Sequence, residues 1–382
     1  MNDKQDIIYT MALLMLQNQI KEGIEVDEKS ISSSIDNVLP LVQYELPKNE
    51  RVELFNELKV HFETIMSSGY SIQGDEDLGD WYSDIKKECH DNNCSFWDRY
   101  KKFLMRDKFP QKVINSIDKD TDTITNLLGN PNVDYKYSRK GLVIGDVQSG
   151  KTANYIAVMN KAADAGYKII ILLTGTIEKL RKQTQERVNR GFIGKNVENN
   201  MFHVGDFNNQ INVVSFTSIK SDFREKSRDV SASLSSLNDP VGFVVKKNKS
   251  VLRSLFLWLE SENIKFKSKN GQKKIDYSLL LIDDEADNAS INTNMEDNDP
   301  TAINEAIRKI LGVFTKSSYL GYTATPYANI FIDPSSSEDM VHDDLFPKDY
   351  IYVLDTPDNY IGAKKIYSDA AEYSYMLQKN DD

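Results

Sequence analysis

Gly145-Asp146-Val147-Gln148-Ser149-Gly150-Lys151-Thr152 fits the phosphate-loop pattern G-x-x-x-x-G-K-[ST], and its flanks decide the fold. Ahead of it, Leu142-Val143-Ile144 is an apolar run suited to a buried parallel strand. Behind it, Ala153, Tyr155, Ile156, Val158 and Met159 follow a helical pattern. Strand, glycine loop and helix form the context in which this motif predicts nucleotide binding. Gly145 and Gly150 let the backbone curl so that its N–H groups face phosphates. The helix N-terminus adds positive potential there. In this reading Lys151 reaches the β- and γ-phosphates of ATP, and the Thr152 hydroxyl ligates Mg²⁺. The plain alternative is a glycine turn before a helix.

A second apolar run, Leu279-Leu280-Leu281-Ile282, ends in Asp283-Asp284-Glu285-Ala286-Asp287. A carboxylate leaving the carboxyl end of a buried strand stands where open α/β sheets bind ligands. Asp284 is therefore expected to hold Mg²⁺ opposite Thr152, and Glu285 to act as the base that orients the attacking water. A third run, Tyr319 to Tyr322, leads into Thr323-Ala324-Thr325-Pro326. Hydroxyls there can bond Asp287 and pass the loss of a γ-phosphate to a neighbouring domain. The alternatives are a solvated acidic strand-end turn for the first segment and, for the second, a turn stopped by proline, the reading that would prevail without the other motifs.

Around these motifs the pattern alternates strand and helix, the sign of a parallel α/β sheet. The expected strands are 142–144, 168–173, 211–216, 241–245, 279–282, 319–322 and 350–354, with helices over 152–165, 177–190, 251–260 and 301–314. Residues 1–95 read as a helical N-terminal region and 96–134 as a helical lead-in. Residues 135–355 read as the nucleotide domain, with a basic insertion near 220–274, and 356–382 as a tail or the start of a further domain. Thr174, Gly175, Thr217 and Ser218 lie at strand ends and Arg181 one turn into a helix, where such side chains can grip a nucleic-acid backbone without base specificity. For Thr176 a helix N-cap is the alternative. Tyr137 and Arg139 are candidates for the adenine side.

At 382 residues, 40% of them hydrophobic and 27% charged, the chain allows two or three globular domains. Its two cysteines, Cys89 and Cys94, suit free thiols in a cytoplasmic protein better than a zinc site with His90. The apolar run 7–16 is too short to span a bilayer, follows Asp3 and Asp6, and reads as an amphipathic helix, so no membrane is expected. The net charge of −11 argues against non-specific nucleic-acid binding. Its distribution argues the other way. Residues 220–274 carry 13 Lys/Arg against 6 Asp/Glu, a net of +7, so the remainder carries −18. Lys246, Lys247, Lys249 and Arg253 form one basic core and Lys265–Lys274 the other, readable as a phosphate-contact surface or as a solvated loop.

Taken in order, the motifs resemble the first RecA-like domain of superfamily 2 helicases. Gly141–Asn154, Lys161–Lys168, Leu180–Gln185 with Arg187, Asp283–Asn288, Leu345–Lys348 and Asn359–Gly362 resemble the Z-one domain family, over roughly residues 95 to 365. That resemblance implies a RecA-like P-loop NTPase domain with a parallel sheet, preceded by an α-helical region. It implies a helicase-like ATPase of bacterial restriction or phage-defence systems, with DNA as its nucleic acid and a nuclease or other defence proteins as partners. Motors of this type use an arginine from a second RecA-like domain. Only 57 residues follow Thr325, too few for such a domain, so turnover by this chain alone is expected to be slow. Two alternatives remain: an ATP-dependent switch that controls a partner nuclease without translocating, or an endonuclease. No trustworthy D-x(n)-E-x-K constellation supports the latter.

Overall fold

The computed structural model describes residues 3–21, 26, 28–42, 44, 46–63, 70–74, 78–145, 150–195, 197, 201–223, 234–263, 266–267, 273–288, 290, 302–330, 337–338 and 342–354. Asp146 to Ser149, most of the second basic core and the tail from 355 lie outside them. In chain order the strands are β1 (Tyr70–Gln73), β2 (Tyr137–Ile144), β3 (Ile169–Thr174), β4 (Val214–Ser215), β5 (Val241–Lys246), β6 (Phe266–Lys267), β7 (Lys273–Asp284), β8 (Phe314–Thr323), β9 (Ser337–Glu338), β10 (His342–Asp343) and β11 (Tyr350–Val353). The α-helices are α1 (Asp3–Lys21), α2 (Glu28–Val42), α3 (Lys48–Glu63), α4 (Tyr82–Asp91), α5 (Phe96–Arg106), α6 (Gln111–Leu127), α7 (Lys151–Ala165), α8 (Glu178–Val188), α9 (Lys249–Asn263), α10 (Ala302–Gly312) and α11 (Tyr327–Ile330).

The main sheet runs β1-β11-β2-β8-β7-β3-β5-β4, with β6 beside β7 and β9 pairing β10 apart from it. From β11 to β4 every pairing is parallel. Among the described strands, β1 and β6 run antiparallel to their neighbours in the main sheet, and β9 and β10 are antiparallel to each other. Every residue of β3 is buried, because both faces of the sheet are covered. With a strand period of two, Ile170 and Leu172 enter one core beside α5, α6 and α7, while Ile169, Ile171 and Leu173 enter the other beside α9 and α10. Each such side chain contributes roughly 1.5–3 kcal/mol by leaving water. After β2 the chain crosses past β8 and β7 to reach β3. The carboxyl end of β2 is therefore a switch point, where a crevice opens.

Among the departures from the sequence expectation, two bear on how the core is built. First, β1 and α4 fall within the region read as helical and separate, yet β1 pairs with β11 and Tyr82 of α4 joins the core under α7. Only α1 to α3 have a core of their own. Ile8, Ala12 and Leu16 meet Ile31, Ile35, Val38, Leu54 and Leu58 there. Second, the helix expected over 177–190 continues past Val188 as a π-helical turn, Asn189–Ile193. Arg99 donates to the Phe192 carbonyl and Asn160 to the Gly191 carbonyl, so buried side chains hold the wider turn. Among the described residues no helix is long and apolar enough to cross a membrane.

Candidate nucleotide site

Strand register brings the motif ends to one level. Ile144 lies opposite Thr323, Asp284 opposite Tyr322, Leu173 opposite Asp283, and Thr174 opposite Lys246. The Gly145 N–H donates to the Thr323 carbonyl at 3.0 Å, joining the loop after β2 to the turn after β8. Gly150 enters α7 with φ of 80°, a left-handed conformation that favours glycine. Lys151 Nζ donates to the Gly145 carbonyl at 2.8 Å, so the amine turns back to the end of β2. Arg187 of α8 donates to Thr152 Oγ1 at 3.3 Å and brings a guanidinium to the same place. Its only trace in the sequence was its spacing after Leu180–Gln185.

The turn after β7 is strained. Glu285 has φ of 57°, uncommon for a residue with a side chain. The Ala286 N–H donates to the Tyr322 carbonyl at 2.9 Å and the Asn288 N–H to the Glu285 carbonyl at 2.9 Å. Asp287 accepts from both threonines of the neighbouring turn, Thr323 Oγ1 at 2.8 Å and Thr325 Oγ1 at 2.6 Å. Burial above all, and then the Glu285 charge, push the Asp284 carboxyl up to about 6, against the pull of Lys247 and Lys151. Three successive carboxylates at a partly desolvated strand end repel one another, and a cation would relieve them. The Thr152 hydroxyl and the Asp284 carboxylate are thus chemically suited to Mg²⁺. Gly175 leaves room for Glu285, because a Cβ built there would lie 3.0 Å from Glu285 Oε2.

The expected nucleic-acid contacts divide. Lys246 is half-buried at the end of β5 and pairs with Glu178 at 3.0 Å, and Ser218 is half-buried at its turn. Arg181 is fully buried instead. Its guanidinium donates to the Ser218 and Ile219 carbonyls, both at 3.0 Å, and to Glu178 at 2.9 Å. Thr174, Gly175 and Thr217 are buried too, and Thr217 Oγ1 accepts the Val244 N–H at 2.9 Å. These residues build the strand ends and offer no donor to the surface. Lys247 is also internal, beneath the Glu285 turn. Nor do Tyr137 and Arg139 face an adenine site. They sit in the amino half of β2 and donate to the Gly129 carbonyl at 3.1 Å and the Leu127 carbonyl at 3.0 Å.

The family model described as Type III restriction enzyme, res subunit, matches residues 104–328, more than half of the chain. No curated protein matches. Among solved structures, the Sulfolobus solfataricus SWI2/SNF2 ATPase core in complex with dsDNA is similar at 15% identity, with a TM-score of 0.27. The match covers 56% of this chain and 31% of that one, so this chain spans about a third of that protein.

Proposed function

We propose that this chain, which belongs to the type III restriction enzyme res-subunit family, is a helicase-like ATPase that couples ATP hydrolysis to binding or remodelling DNA. The observation that carries the reading is the convergence of three turns far apart in sequence, joined by the Gly145–Thr323 bond and by Asp287 between Thr323 and Thr325. Residues 145–152 would cradle the ATP phosphates, with Lys151 on the β- and γ-phosphates. Thr152 and Asp284 would hold Mg²⁺, which when bound supplies charge neutralisation at the phosphates. Glu285 would orient the attacking water, with its carboxylate beside Gly175. Asp287, Thr323 and Thr325 would carry the change at the phosphates to a neighbouring domain. Arg187, already at Thr152, would meet the phosphate charge from within the same chain.

The finer reading is a Z-one-type protein of a bacterial defence or restriction system, working in the cytoplasm with a partner nuclease. Its nucleotide domain would span 135–355. Lys246 and Ser218 would meet the nucleic-acid backbone. The test is steady-state hydrolysis of Mg-ATP by the chain, with and without single- and double-stranded DNA, beside Lys151→Ala. Turnover stimulated by DNA and reduced at least about 100-fold in Lys151→Ala is expected, since the phosphate clamp acts on the transition state. Binding of ATP without turnover in any condition would leave the ATP switch. No binding at all would end the reading.

A further inference from the structure

Lys246 and Lys247 are neighbours at the end of β5, and alternation sends them opposite ways. Lys246 reaches Glu178 near the surface, whereas the Lys247 side chain has no exposure to solvent. A buried ammonium is costly unless its three donors are satisfied. Here they converge on one turn. Lys247 Nζ lies 2.8 Å from Asp283 Oδ1 and donates to the Glu285 carbonyl at 2.5 Å, the Asn288 carbonyl at 2.9 Å and Ser290 Oγ at 3.2 Å. Its own N–H donates to the Thr174 carbonyl at 3.2 Å, which anchors the lysine to β3. The carbonyl it grips hardest is that of Glu285, the residue with φ of 57°. A strained conformation persists only where its surroundings over-determine it. Asp283 is itself fixed by the Tyr319 hydroxyl at 2.8 Å, so the clamp rests on β3, β5 and β8 together.

We infer that Lys247 is a positioning residue that holds the Asp284–Glu285 turn in its strained shape and so aims the Glu285 carboxylate at the phosphate site. The inference rests on the hydrolysis reading above. Lys247 is too far inside to meet nucleotide, and its effect passes through the turn. It should therefore alter turnover and leave nucleotide affinity alone.

The test compares wild type, Lys247→Met and the double variant Lys247→Met/Asp283→Asn. The double variant leaves no unpaired buried charge if the single one fails to fold. Three readouts are taken: binding of a fluorescent ATP analogue, hydrolysis with saturating DNA, and hydrogen exchange over residues 283–290. In the variants, affinity should stay within about twofold and hydrolysis should fall about 30-fold, as expected when a catalytic group is displaced by a fraction of an ångström. The Ala286 and Asn288 amides should exchange about tenfold faster, because both amides belong to the turn, bonded to the Tyr322 and Glu285 carbonyls. Unchanged exchange overturns the clamp, and faster exchange with unchanged hydrolysis overturns its role in the reaction. If wild type binds ATP but hydrolyses none, the hydrolysis reading fails by itself, and exchange alone decides whether Lys247 holds the turn.

Discussion

Two buried lysines face each other's problem from opposite ends of the domain. Behind the phosphate-loop helix, Lys161 has no side-chain exposure and bonds Asp118 Oδ1 at 2.8 Å and Asp122 Oδ1 at 2.5 Å. Lys86 reaches the same two carboxylates, and the Lys161 ammonium lies 4.4 Å from the Trp97 ring centroid. At the front, Lys247 is equally buried beside Asp283. The charges are alike and what they grip differs. Lys161 takes the Asp118 and Asp122 carboxylates and, at 2.6 Å, the Asp118 carbonyl, all on the regular helical backbone of α6, and ties α4, α6 and α7 together. Lys247 takes carbonyls of a turn whose backbone is strained. A buried cation thus fastens helices in one place and holds the strained Asp284–Glu285 turn in the other.

The largest effect that would sharpen this contrast comes from Lys161→Met. It leaves Asp118 and Asp122 with Lys86 and, at 3.8 Å from Asp118, Lys101, and removing one partner of a buried ion pair costs about 3–5 kcal/mol. A urea midpoint should record that loss, while hydrolysis per folded molecule holds. A selective loss of hydrolysis would break the comparison. Next in size is a pH effect at the same end. Asp164 accepts from the Phe96 N–H at 2.6 Å, the Trp97 N–H at 3.0 Å and Ser95 Oγ at 3.2 Å, capping α5. Burial nevertheless pushes its carboxyl up to about 7, against the pull of those donors. With the folded value above the unfolded one, the fold binds the proton more tightly. Stability therefore rises as pH falls from about 7 towards about 4, and is flat outside that window. Relative to Asp164→Asn, wild type should gain on the order of 2 kcal/mol between pH 7 and pH 5, read from urea midpoints at both. A difference that does not change with pH would show that the three donors outweigh burial.

Legibility in the sequence followed the physics of burial. The central strands were readable because both faces are covered, so that 169–173, 241–245 and 279–282 are continuous apolar runs. Tyr70–Gln73 was not, because an edge strand with three exposed residues of four has no such run. The amino half of β8, from Phe314 to Ser318, was hidden by an expected helix ending at 314 and by small polar residues buried against neighbouring strands. The motif positions were readable because short local patterns mark strand ends, and the structure brings those ends together. Lys247 and Arg181 were misplaced, since a basic run reads as surface. The Asp283 carboxylate beside Lys247 and the carbonyls that bind both residues stand 36 or more residues away in sequence, although Glu178, which pairs Arg181, is three residues off. Arg187 carried only its spacing, and its nearness to Thr152 needs the fold.

The smallest expected effect isolates the front turn without touching any charge. Gly175 follows β3, and a Cβ there would stand 3.0 Å from Glu285 Oε2 and 3.9 Å from Leu180 Cδ1. The first distance is tighter than a carbon–oxygen contact tolerates, so in Gly175→Ala the carboxylate must give way by a few tenths of an ångström. The backbone has no need to move, because residue 175 lacks the positive φ that would penalise alanine. Stability should therefore change by no more than about 1 kcal/mol, the scale of a Gly→Ala change where the backbone accepts alanine. Hydrolysis should fall by about two- to tenfold with ATP affinity unchanged, since only the carboxylate proposed to orient the water has moved. Assays of turnover, affinity and urea midpoint on one preparation separate the outcomes. If turnover is unchanged, Glu285 has slack that the Lys247 clamp does not remove, and the front turn is no more exacting than the helix fastening at the back. If turnover falls while the midpoint holds, tolerance at the front is measured in tenths of an ångström, and the strained turn is where the fold places its accuracy.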